Sequence, residues 1–161
     1  APAPPPPPAV SLTAPAQPGA LAPPEAESAV GLVDPHGIDP CLARLSPSSQ
    51  MASRVALAIA VATFEPDERA EIVVQGLYQN HAGVAILTDR RILLVNDHEW
   101  AADRRVVPIV ADLVIQGWQD DQTASLIFIT EGVSATISLI SDRLLAQEFA
   151  QKARARVAEV G

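Results

Sequence analysis

From residue 46 to residue 64 the apolar positions recur at helical spacing: Met51, Val55, Ala58, Ile59 and Ala62 fall at i, i+4, i+7, i+8 and i+11. Ser46-Pro47 opens this segment with an N-cap and a proline at the first helical position, where its missing N–H costs nothing. Glu65-Pro66 closes it, because a residue before proline is driven out of helical geometry. Leu57, Val61 and Phe64 widen the stripe beyond one buried face. The helix is therefore expected to pack on two sides, with Leu57 and Val61 as candidates for a docking surface.

Beyond Ala70 the period changes to two. Ile72, Val74, Gly76 and Tyr78 alternate with their neighbours, and short β-branched runs follow at 84–88 and 92–95, separated by Asp89-Arg90-Arg91. Further strands are expected at 105–109, where Pro108 argues for an edge, and at 113–118, closed by the polar turn 119–122. Segments 124–130 and 133–140 meet at the two-residue turn Glu131-Gly132. Strict alternation in the second places Val133, Ala135, Ile137 and Leu139 inward. Ser141 or Asp142 then caps a helix to about Val157, with Leu145, Phe149, Ala153 and Val157 on one stripe and Glu148-Lys152 as a favourable i, i+4 pair. Arg154 and Arg156 near its end suit the helix dipole.

Helix, seven short antiparallel strands and an amphipathic C-terminal helix make a mainly β chain with flanking helices, of the α+β class. Such a terminal helix covers the open end of a curled sheet. Residues 1–29 differ in kind: ten of the fifteen prolines lie in the first thirty positions, and no periodic apolar face is present. The expected organisation is a Pro/Ala-rich disordered tether and coil over 1–45, and a folded domain over 46–161.

Phe64-Glu65-Pro66-Asp67-Glu68, Gly76, and the run Gly83-Val84-Ala85-Ile86-Leu87-Thr88-Asp89-Arg90-Arg91-Ile92-Leu93-Leu94-Val95 resemble the bacterial PH-like family of the YokE type. There an N-terminal helix leads through a "pGE"-like turn into a "TnkR" hairpin. Val106-Val107-Pro108-Ile109 followed by Asp112-Leu113-Val114 resembles a later pair of strands of that family. Pro66-Asp67-Glu68 stands for Pro-Gly-Glu here, and Asp89-Arg90 for Asn-Lys. The resemblance covers about residues 51–157 and implies a PH-like seven-stranded barrel or sandwich and a non-catalytic interaction domain. It carries over no catalytic residues and no cofactor.

Eleven Lys and Arg against nineteen Asp and Glu give a formal net charge of −8, which disfavours nucleic acid as a partner. Aromatic residues are 4% of the chain, too few for base-stacking platforms. Arg90 and Arg91 have two readings: a cationic tip for a phosphate or carboxylate, or side chains that fix their own hairpin. Residues 78–83 carry no Lys or Arg, which weakens the lipid-headgroup alternative. Arg104-Arg105 follows Asp97, Glu99 and Asp103 in a loop close to charge balance, where Trp100 either folds back or anchors an interface.

His36, His81 and His98 fall in different segments, and no nucleophile elbow, phosphate loop or metal-ligand spacing occurs, so no catalysis and no metal are expected. The single Cys41 excludes an internal disulfide and suits a reducing cytoplasm. The expected partner is a protein or a second copy of the chain; membrane binding is the alternative, and no small-molecule substrate is inferred.

Overall fold

The computed structural model describes residues 34–98 and 101–161, so the Pro/Ala-rich stretch and Trp100 lie outside the described residues. Pro35–Gly161 forms one compact unit. Its elements are α1 (Ile38–Ala43), α2 (Pro47–Val61), β1 (Ala70–Tyr78), β2 (His81–Thr88), β3 (Arg91–Asn96), β4 (Arg104–Pro108), β5 (Val114–Gln119), β6 (Ala124–Thr130), β7 (Val133–Ile140) and α3 (Arg143–Val160). All strand pairs are antiparallel, in the order β4-β3-β2-β1-β7-β6-β5. Two meanders thus meet where the first strand pairs with the last, and helices flank the sheet at both ends of the chain. This is the expected PH-like architecture.

Ser46 caps α2 as its sequence requires, its hydroxyl accepting from Ser49 N–H, with Pro47 at the first helical position. The helix packs on β1, β2 and β3. Its buried face is made of small residues, Ser49, Ser53, Ala56 and Ala60, together with Leu57, and these allow a close approach to the sheet. The stripe Met51, Val55, Ala58 and Ala62 faces outward instead, so the helix is covered on one side only.

Four further differences from expectation have identifiable causes. Residues 38–43, expected as coil, are helical, with Cys41 and Leu45 buried in the core. Asp142 makes no side-chain cap on α3, because its carboxylate accepts from Ser46 N–H at 3.2 Å across the molecule. Glu148 is held in a fork by Arg44 (2.6 and 2.9 Å) rather than by Lys152. Leu139 is exposed because its φ of 54° belongs to a bulge in β7 that leaves the alternation out of step.

The core runs between the two meanders and under α3, whose Leu145, Phe149 and Ala153 are buried as the spacing predicts. Phe149 lies against Phe128 of β6, ring centroids 5.8 Å apart. Arg156 of α3 donates to the Thr88 carbonyl and pairs with Glu71, so the helix ties β1 to the end of β2.

Candidate functional site

The β2–β3 hairpin carries the residues most suggestive of a ligand site, and the fold turns them inward. Thr88 Oγ1 accepts from the N–H groups of Arg90 (3.1 Å) and Arg91 (3.0 Å), which closes the tight turn over Asp89. The same hydroxyl donates to Glu68 Oε2 at 2.7 Å. Glu68 is fully buried and also accepts from Arg91 Nε at 2.9 Å, from Arg91 Nη2 at 2.8 Å and from Glu65 N–H at 3.0 Å. Burial alone pushes a carboxyl up. The fork from Arg91, the Thr88 hydroxyl and the Glu65 amide outweigh it and hold Glu68 at about 2.

Arg91 reaches on to the Thr63 carbonyl at the end of α2, so one guanidinium locks helix, loop and hairpin together. Arg90 pairs with Glu65 and, at 2.6 Å, with Asp67. The hydrogen bonds that Arg90 donates to Asp67 and Glu65 raise its guanidinium above its ordinary value. The two arginines are therefore both paired to carboxylates of residues 65–68.

Arg104 and Arg105 sit opposite Val95 and Leu94 on the edge strand β4. Arg104 is exposed, while Arg105 is half-buried beside Tyr78. Burial pushes the Tyr78 hydroxyl up and Asp103 adds to this, with Arg105 opposing. The arginine pairs at 90–91 and 104–105 thus serve different elements, and the structure does not gather them into one cationic patch. Of the remaining candidates, Leu57 is buried in the core and Val61 is half-buried.

What the helix exposes is its other side, with Met51 71% and Val55 55% accessible and Ala58 and Ala62 along the same face. The spacing of these residues was legible in the sequence, but which of the two apolar sides met the sheet was not. Sequence reasoning also missed the approach of His81 to His98, whose ring centroids lie 4.2 Å apart, because the first opens β2 and the second follows β3. His98 Nδ1 lies 3.1 Å from the Ala101 carbonyl. Among the described residues no three His, Cys, Asp or Glu side chains converge as a metal site requires.

Comparison with protein-family models and with curated proteins gives no match. Among solved structures, the crystal structure of a pleckstrin homology domain from Shewanella amazonensis SB2B is similar. The TM-score is 0.42 at 12% identity, over 62% of this chain and 95% of that one. The PH-like assignment here rests on the chain's own seven antiparallel strands, their order and the flanking helices. No helix among the described residues is long and apolar enough to cross a membrane.

Proposed function

We propose that the chain is a non-catalytic PH-like module of the bacterial YokE type, cytoplasmic, that docks protein through the outward face of α2. The observation that carries this reading is the row Met51, Val55, Ala58 and Ala62: two large apolar side chains stand in solvent on a helix whose opposite face is already packed. A helix face of this kind can meet its own copy about a two-fold axis, which makes self-association the simplest form of the contact. The lipid-headgroup alternative has less support, because Arg90 and Arg91 are both paired to carboxylates.

The test is light scattering and circular dichroism on the Met51→Glu/Val55→Glu double variant. Both side chains are exposed, so the variant should stay folded. Concentration-dependent association of the wild type that the variant loses is the expected result. An unchanged, monomeric mass for both proteins at high concentration would overturn self-association through this face. Co-sedimentation with anionic vesicles that weakens as salt rises would favour the lipid reading instead.

A further inference from the structure

The ladder between β2 and β3 continues past its last paired residues. Gly83 faces Asn96 at its end, and one residue further out Asp97 N–H donates to the Ala82 carbonyl at 2.9 Å. That bond makes 82 and 97 a hydrogen-bonded position. The next pair, His81 and His98, therefore falls at a non-hydrogen-bonded one, where opposite side chains share a face and come closest. The two rings meet as this register requires, with centroids 4.2 Å apart and planes tilted by 42°.

One buried asparagine fixes both segments that carry these rings. Asn96 Nδ2 donates to the Tyr78 carbonyl at 2.9 Å, just before the turn that leads into His81. Asn96 Oδ1 accepts from the N–H groups of His98 at 3.2 Å and of Asp103 at 2.7 Å, which closes the loop after β3. The His98 ring is oriented in turn, because its Nδ1 lies 3.1 Å from the Ala101 carbonyl. A carbonyl can only accept, so Nδ1 carries the proton and Nε2 keeps its lone pair. Both histidines are half-buried, held in place yet still open to solvent.

We propose that His81 and His98 chelate one divalent transition-metal ion of the kind imidazole prefers, Cu²⁺ ahead of Ni²⁺ or Zn²⁺. Two imidazoles that bind one ion at about a right angle, with metal–nitrogen bonds of about 2.0–2.1 Å, hold their ring centroids roughly 4.5 Å apart. The observed 4.2 Å needs only a small adjustment. The bond from His98 Nδ1–H to a backbone carbonyl is the outer contact that ligating histidines commonly make. Two nitrogens are fewer than the protein ligands of a structural or catalytic centre, so water completes the coordination and the ion stays exchangeable. Mg²⁺ and Ca²⁺ do not suit the pair, since both take oxygen ligands. A bound ion ties the start of β2 to the loop after β3, and the chain's net charge of −8 draws cations toward it. The site shares no residue with the outward face of α2 and stands or falls independently of it.

The probes are CuCl₂, ZnCl₂ and MgCl₂, each titrated into the full chain. One equivalent of Cu²⁺ should bind with the paramagnetic resonance signature of two nitrogen ligands. Zn²⁺ should shift the ring resonances of His81 and His98 and leave those of His36 in place, and Mg²⁺ should shift none of the three. His81→Gln or His98→Gln alone should weaken Cu²⁺ binding at least tenfold, because a chelate needs both rings, whereas His36→Gln should not change it. Zn²⁺ should also raise the thermal midpoint of the wild type and not that of the His81 and His98 variants, since the ion binds only the folded pair. Circular dichroism checks that the variants fold, and the Zn²⁺ shifts in the wild type test the site even if one does not. Absence of saturable Cu²⁺ binding below millimolar concentration, a loss in His81→Gln or His98→Gln no larger than in His36→Gln, or Zn²⁺ shifts centred away from these two rings would overturn the proposal.

Discussion

Arg91 grips the fully buried carboxylate of Glu68 with two nitrogens, at 2.8 and 2.9 Å, and this one pair joins the loop after α2 to the β2–β3 hairpin. Removing one partner leaves the other charge buried without compensation. Glu68→Ala is therefore expected to cost about 3 kcal/mol in urea unfolding. Arg90→Ala, which breaks only exposed pairs, should leave the midpoint close to wild type. Equal effects of the two substitutions would mean that the hairpin is not held from within.

The same pair sets an acid limit. The folded-state value of Glu68 is depressed to about 2, below its ordinary range, so its contribution is complete above the unfolded value near 4.3 and is lost as pH falls toward 2. The loss should amount to roughly 3 kcal/mol. Urea midpoints measured at pH 6, 4 and 2.5 should fall steeply only over the last interval, and Glu68→Gln should flatten that fall. A wild-type profile that Glu68→Gln leaves unaltered would assign the acid loss to other carboxylates.

The domain boundary is open to a direct test. Cys41 and Leu45 are buried, Ile38 and Leu42 pack against the core, and Arg44 forks onto Glu148 of α3. A chain starting at residue 46 is expected to lose about 3 kcal/mol of apolar burial, with a thermal midpoint roughly 10 °C lower. A chain starting at residue 35 should match the full chain. Coincident midpoints for all three would return residues 35–45 to the tether.

How much of this was legible in the sequence varied by element. The capped start of α2, the strand pattern and the buried stripe of α3 rest on periodicity and turn chemistry, which are local, and they are where the sequence puts them. Gln79-Asn80 escaped notice as a hairpin turn: both residues have positive φ, 54° and 66°, but the pair lacks the glycine that usually marks this turn. The outward face of α2 is not legible in the sequence, because a helix with apolar residues on two sides does not say which one meets the sheet. The small residues Ser49, Ser53, Ala56 and Ala60 decided it, by letting the backbone come close. Spacing along the chain ties Asp142, Glu148 and Arg154 to their own helix, yet each bonds to a distant element, and no single-sequence spacing reports such pairings.

The junction of the two meanders yields the last prediction. β1 and β7 are joined in register at Leu77 and Ser138 alone, and a Cβ at Gly76 would strike the Ser138 carbonyl oxygen. That neighbour is backbone, fixed by the strand crossing, so it cannot swing aside. Gly76→Ala should therefore be strongly destabilising, by about 3 kcal/mol or more, within the range of overpacked cores. One residue beyond Ser138, Leu139 holds a left-handed φ of 54° with its side chain 56% exposed, so it bears the backbone strain of the bulge with little burial in return. Leu139→Asn keeps a residue tolerant of that conformation and should stabilise by about 0.5–1 kcal/mol. Thermal melts of the two variants separate the causes. If Gly76→Ala is harmless, the strands are farther apart than this crossing implies. If Leu139→Asn lowers the midpoint, the exposed leucine contributes contacts that outweigh its strained backbone.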